Sequence, residues 1–350
     1  MTPGSWSGGA KRALLIAAKI AFSAALMAFL FRRIPAHEVG AALRHARPGG
    51  LALAALLLLA SNLLGAYQWH RLLGVVGLRI PFWKTCAYYH VGLFFNNFLP
   101  ANIGGDIARV LDASRHGLGG TAAGGEAAAP PASPGARAAA VSSVLLDRIL
   151  GTVALAGLAL VTTLPGVDRF HLKLVYLSLA GFFAISVVLL WAIFHPAMLP
   201  VVERALSGVG LASLKPQLDE LAARLRGLRS QRSLMLGLML VAILTQVSRI
   251  GVHVLVARAL GLAIPVLYFF LFVPLLAVIV SLPISLNGIG VREGAGIVLF
   301  GLVGVGRADA FSLQFTTYLV AVAVSLLGGL IALVRLPYRR MERPGQGRQT

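Results

Sequence analysis

The chain is written in long apolar runs separated by short basic or Gly/Pro-rich stretches. Apolar segments fall at 13–31, 50–68, 141–163, 174–194, 233–257 and 310–334. Each is long enough, at about 1.5 Å per helical residue, to cross roughly 30 Å of bilayer hydrocarbon. Two more regions, 85–110 and 266–304, are apolar but interrupted by Pro, Asn and Gly clusters. Thr85–Leu99 is too short to cross comfortably before Pro100 breaks the helix. Irregular backbone at membrane depth is tolerated only where it is buried in protein or faces water. The pattern thus predicts an all-α polytopic membrane protein of about eight membrane segments, two of them broken, re-entrant helical hairpins.

The two broken regions share a pattern. Residues 99–109 read Leu-Pro-Ala-Asn-Ile-Gly-Gly-Asp-Ile-Ala-Arg, and 282–292 read Leu-Pro-Ile-Ser-Leu-Asn-Gly-Ile-Gly-Val-Arg. Leu99, Pro100, Gly105 and Arg109 fall on Leu282, Pro283, Gly288 and Arg292 at one constant offset. Upstream, Gly77-Leu78-Arg79-Ile80-Pro81 is echoed by Gly261-Leu262-Ala263-Ile264-Pro265. Each half, 13–163 and 174–334, then holds three full crossings and one hairpin. An odd number of crossings starts the second half from the opposite side, which predicts repeats inverted in the membrane. Paired Gly/Pro-interrupted apolar segments in the two halves point to a transporter's binding site near the midplane.

Composition agrees with the pattern. Hydrophobic residues make up 58% of the 350 and charged residues only 12%, against about 25% in soluble domains. The net charge of +19 comes from 31 Lys and Arg against 12 Asp and Glu. These cations flank apolar spans, so they read as topology and lipid-headgroup contacts rather than a nucleic-acid surface. Arg204, Lys215, Arg224, Arg226, Arg229 and Arg232 place the loop 195–232 in the cytoplasm, and Arg335, Arg339, Arg340, Arg343 and Arg348 place the tail 335–350 there. With residues 1–12 cytoplasmic as well, Arg32, Arg33, Arg44 and Arg47 fall outside, against the rule. Phe31-Arg32-Arg33-Ile34 is no cleavage site, so the first run reads as a retained helix. Residues 117–140, rich in Gly, Ala and Pro, read as a flexible cytoplasmic linker. Leu218, Leu221, Leu225 and Leu228 share one face of a short amphipathic helix, read either as lying at the headgroup boundary or as packed on the bundle.

Ionisable groups within spans are costly and are therefore site candidates. They are Asp106 and Arg109, Asp147 and Arg148, Arg249, and Arg292 and Glu293. Asp106–Arg109 and Asp147–Arg148 can also simply neutralise one another and lock helices. Arg109 and Arg292 stand out because they recur in the repeat. Gly104-Gly105 and Gly288-Ile289-Gly290 bring backbone N–H groups to the start of a half-helix, where anions are favoured. Arginine adds a planar fork suited to phosphate oxygens, and Asn96, Asn97, Asn102 and Asn287 add neutral donors and acceptors. The breaks themselves rest on Pro100, Gly104, Gly105, Pro283, Gly288 and Gly290. His70, His90 and His253 lack metal-ligand spacing, no P-loop or Gly-x-Ser-x-Gly elbow occurs, and the lone Cys86 permits no intrachain disulfide. No catalytic residue, metal or cofactor is expected.

Three motifs in order carry a family resemblance: Asn96-Asn97-Phe98-Leu99-Pro100 with Gly104-Gly105-Asp106-x-x-Arg109; Leu146-Asp147-Arg148-Ile149-Leu150-Gly151; and Ser281-Leu282-Pro283-Ile284-Ser285 with Gly288-Ile289-Gly290-Val291-Arg292-Glu293-Gly294. Over roughly 13–335 the chain resembles the flippase-like membrane domain of lysylphosphatidylglycerol synthases and the stand-alone inner-membrane proteins related to it. In the synthases an aminoacyl-transferase domain follows; this chain ends at Thr350. The resemblance therefore implies a non-enzymatic bacterial inner-membrane protein with both termini cytoplasmic. It would handle the headgroup of an anionic or modified phospholipid, or of a polyprenyl phosphate. Membrane lipids are the expected partners. Two other readings stay open: a membrane scaffold for a separate lipid-modifying enzyme, and a membrane-embedded lipid transferase using Asp106 or Glu293 as base.

Overall fold

A computed structural model describes residues 21, 24–30, 32, 36–98, 104–116, 134–163, 173–194, 204, 232–281, 285 and 288–341. All regular structure among them is helical. The helices are α1 (Ala36–His45), α2 (Pro48–Val75), α3 (Phe82–Phe98), α4 (Gly104–Ala113), α5 (Pro134–Thr163), α6 (Lys173–Phe194), α7 (Arg232–Ala259), α8 (Val266–Ser281), α9 (Val291–Gly301) and α10 (Arg307–Met341). Among the described residues four stretches are long and apolar enough to cross a membrane: Pro48–Val75, Pro134–Thr162, Ser233–Ala259 and Arg307–Val334, with Val266–Val280 a shorter apolar helix.

The start and stop of α2 follow from local chemistry. Pro48 sits in the first turn, where a missing N–H costs nothing, and Arg47 before it is extended. At the other end Gly77 takes φ 86°, and the Leu78 N–H closes on the Leu73 carbonyl at 2.9 Å. That is the left-handed glycine stop expected of a helix C-terminus. Helix α7 ends the same way: Gly261 has φ 78° and the Leu262 N–H reaches the Ala257 carbonyl at 2.9 Å. A spacing of 184 residues, the separation of the hydrogen-bonded Ser61 and Thr245, carries the bounds of α2 onto those of α7. The order long helix, two short helices, long helix in α2–α5 recurs in α7–α10.

These corresponding long helices pack side by side and antiparallel. The Arg47 N–H donates to the Ala259 carbonyl at 2.9 Å, Gly50 abuts Ala259, Gly251 faces Leu57, and Ser61 Oγ donates to the Thr245 carbonyl at 3.2 Å. The start of α2 thus lies beside the end of α7.

Both interrupted regions fold back on themselves. In the first, Gly92 on α3 meets Gly105 on α4 so closely that a side chain at Gly105 would strike the Gly92 carbonyl. In the second, Phe300 near the end of α9 packs on Phe269 and Phe272 of α8, with ring centroids 5.4 and 5.2 Å apart. Pro274 interrupts the hydrogen-bond ladder within α8. Helix α10 lies against α3 through Gly328 and Gly329, which abut the His90 carbonyl and the Phe94 ring. Small residues at such crossings let backbones approach, which is how helices gain dispersion energy in lipid, where apolar burial itself gives little.

The outer faces of the long helices are apolar. Leu56, Leu236, Leu240 and Leu330 are exposed, whereas Asn62, Gln68, Gln246, Glu293 and Gln314 are buried. That inside-out distribution belongs to a protein solvated by lipid. The linker expected over 117–140 is shorter than that: α5 begins at Pro134, a residue suited to a first turn, and residues 134–140 are helical. The Pro, Gly and Ala there read as loop composition, yet Ala136, Ala139 and Ala140 are buried in one core cluster with Trp69 and Tyr89. Residues 117–133 and the amphipathic segment 216–229 lie outside the described residues.

Candidate functional site

The interior of the bundle holds a cavity of about 600 Å³ whose walls come from α2–α10. Four arginines line it: Arg109 from α4, Arg148 from α5, Arg249 from α7 and Arg292 from α9. Asp147 is the carboxylate among the lining residues. Neutral hydrogen-bonding groups, among them Asn62, Asn96, Gln246 and Thr317, fill the remaining wall. A chamber of this size suits a small polar group.

The first hairpin reaches the cavity through Arg109. Its side chain is 6% exposed and one Nη donates to Asp147 Oδ2 at 2.8 Å, while the other lies 3.7 Å from Asp106. The guanidinium also sits 4.3 Å from the Trp69 ring and 4.7 Å from the Tyr89 ring. Gln68 donates its amide to the other oxygen of Asp147 at 3.0 Å, and Trp69 donates to Ser143 Oγ at 3.0 Å. Arg148 turns back to Asp106 with two hydrogen bonds, 2.9 and 3.1 Å. The acid–base neighbours in sequence, Asp106 with Arg109 and Asp147 with Arg148, therefore cross-pair between α4 and α5. These crossed pairs join α4 to α5 as a bidentate arginine fork does.

The second hairpin is held differently. Gly288 and Gly290 take φ 75° and 82°, and Glu293 accepts the Gly290 N–H at 2.7 Å in a capping box that opens α9. Arg292 leads into the cavity with its guanidinium 4.7 Å from the Tyr318 ring. Arg249 enters from α7, one turn after Gln246, whose amide donates to the Gly151 carbonyl at 2.9 Å.

The predicted residues thus take different places. Arg109, Arg148, Arg292, Asp147, Asn96 and Asn97 line the cavity. Asp106 stands behind Arg148, and Glu293 is fully buried as the cap of α9, outside the cavity lining. Asn102, Asn287, Pro100 and Pro283 lie outside the described residues. The half-helix amides expected to await an anion are in part already bonded: Gly105 N–H donates to Asn96 Oδ1 at 2.8 Å and Gly290 N–H to Glu293. Glycine at Gly105 is needed for the close approach to α3, as is glycine at Gly290 for its positive φ. Gln68, Trp69, Tyr89 and Tyr318 were not singled out by sequence, because an aromatic or a glutamine inside an apolar run carries no spacing that marks it. Among the described residues no cluster of three or more His, Cys, Asp or Glu side chains could hold a metal ion.

No curated protein and no solved structure matches the chain. A profile of the family described as "Lysylphosphatidylglycerol synthase TM region" matches residues 16–329. That span contains both hairpins and all four cavity arginines, and the chain, a multi-pass membrane protein, belongs to this family.

Proposed function

We propose that this protein moves lipid between leaflets, receiving the phosphate of an anionic or modified phospholipid, or of a polyprenyl-phosphate carrier, in the cavity between its two hairpins. The observation that carries the reading is the cavity's charge: Arg109, Arg148, Arg249 and Arg292 line it together with Asp147. A cation inside a membrane is costly unless it faces a polar chamber or a partner, and cations gathered around one chamber favour an anion there. Family membership favours a role in phospholipid metabolism or transport.

Transport needs a way to present the site to either leaflet. The antiparallel pairing of corresponding helices α2 and α7 supports repeats inverted in the membrane, each contributing one re-entrant hairpin, in about eight segments altogether. The protein would lie in a bacterial inner membrane with both termini in the cytoplasm, where the basic loop and tail belong. What favours translocation over lipid transfer is the state of the carboxylates. Asp147 is engaged by Arg109 and Gln68, Asp106 by Arg148, and Glu293 by the α9 cap.

The test is a flipping assay in proteoliposomes with a fluorescent anionic phospholipid. The wild type moves the label; Arg292→Ala and Arg109→Ala each slow it by about tenfold or more, the first through a lost charge-assisted contact to the anion and the second through the lost pair with Asp147. Unchanged flipping in both variants removes the site assignment. No flipping by the wild type, with co-purification of a lipid-modifying enzyme, favours the scaffold reading instead.

A further inference from the structure

The two ends of the cavity are built from corresponding helices but not from corresponding chemistry. At the spacing of 184 residues that relates α2 to α7, Gly65 falls on Arg249, Trp69 on His253 and, on the next helices, Tyr89 on Val273. In the first half, Tyr89 occupies the space a side chain at Gly65 would need. With Trp69 it also boxes Arg109, which is bonded to Asp147 as well. The first-half arginine is thus held on its faces and at its fork before any ligand arrives.

In the second half the same three positions are an arginine, an imidazole and a valine, and all three line the cavity. Valine has no ring with which to box an arginine as Tyr89 boxes Arg109. Arg249 occupies the position of Gly65, half-buried in the middle of α7, and among the described residues no carboxylate lies within ion-pair distance of it. A mid-span arginine with a cavity in front of it and no carboxylate beside it is a group waiting for an anion. Arg292 reaches the same cavity from α9.

We infer that the anion subsite lies at the second-half end of the cavity, with Arg249 as its principal phosphate contact beside Arg292, and that Arg109 is a positioning residue that fixes the first hairpin. The inference rests on the proposed handling of a phosphate-bearing headgroup and adds where the phosphate sits. It breaks the apparent equivalence of Arg109 and Arg292 in the repeat: the first-half arginine is structural and the second-half pair binds.

The experiment measures affinity rather than transport. Full-length protein in detergent is titrated with sodium phosphate and, separately, with dihexanoyl phosphatidylglycerol, and the ligand-dependent rise in melting temperature gives an apparent Kd. R249Q weakens the apparent affinity by about tenfold or more, the loss of a charge-assisted pair. R249K, which keeps the charge and loses the planar fork, weakens it by about threefold and decides the matter by itself if R249Q does not fold. R109K lowers the ligand-free melting temperature and keeps the wild-type affinity, since lysine retains the charge beside Asp147 but not the two-ring stacking. Response to the lipid alone assigns the subsite to a headgroup, and response to both probes assigns it to phosphate oxygens as such; either result, with the R249 losses, supports the subsite. Wild-type affinity in R249Q, or in R249K where only that variant folds, overturns it and leaves the proposed function standing. A wild type that answers neither probe overturns both.

Discussion

Arg109 shows how a residue's surroundings decide its role. Its ion pair with Asp147 is buried, 6% and 11% exposed on the two sides. Breaking such a pair from one side leaves an uncompensated charge, which costs about 3–5 kcal/mol, whereas a pair open to solvent contributes about 1 kcal/mol at most. Arg148, bonded to Asp106, has half of its side chain exposed. Asp147→Asn should therefore lower the melting temperature in detergent far more than Asp106→Asn. Equal shifts in the two variants would show that the Arg109–Asp147 pair is not the fixed point of the first hairpin. The sequence marked all four residues as candidates because charge inside an apolar span is rare. It did not reveal all their partners: Asp106 lies 3.7 Å from Arg109 as their spacing suggested, but the hydrogen-bonded pairs run across α4 and α5, Arg109 with Asp147 and Arg148 with Asp106.

The hairpins depend on contacts that leave no room for a side chain. A methyl group at Gly105 would strike the Gly92 carbonyl and crowd Asn96. Over-packing a tight crossing costs about 1–3 kcal/mol. Gly105→Ala should lower the melting temperature, while Gly49→Ala on α2, where no atom lies within 4 Å of the added carbon, should leave it unchanged or raise it slightly, since alanine favours helix. Equal behaviour of the two variants would mean that the α3–α4 crossing does not limit stability. At this scale the apolar runs marked the long helices well. The run at 233–257 became α7, Arg232–Ala259, and the run at 50–68 became part of α2, Pro48–Val75. Hydropathy marks only the lipid-exposed or core-facing part of a helix, so polar and small residues at the ends were lost. The start of α5 is the clearest case: its Ala-rich first turns pack into a core that no local pattern displays.

The whole molecule is organised by the pairing of α2 with α7. Both helices end in the same glycine-stopped turn, yet they run antiparallel, so the turns at Gly77 and Gly261 lie at opposite ends of the pair. Membrane orientation follows as a prediction. In a background with Cys86 replaced by serine, single cysteines at Arg79 and Ala263 should react with an impermeant thiol reagent from opposite faces of sealed vesicles. Labelling of both from one face would remove the inverted arrangement and with it the alternating exposure of the cavity.

Sequence by itself determined that the protein is helical, lives in lipid, and breaks two of its apolar segments at repeated Pro/Gly motifs. Those properties are local: hydropathy, helix stops and the conformational demands of proline and glycine act over a few residues. Tertiary structure decided which charges pair, which backbone amides are already bonded, and that Arg249 shares a chamber with Arg292, 43 positions or some dozen helical turns further along the chain. These depend on distances between helices that the chain brings together from far apart. The same holds for the difference between the cavity's two ends, because Gly65 acquires its meaning only where the Tyr89 ring takes the space beside it.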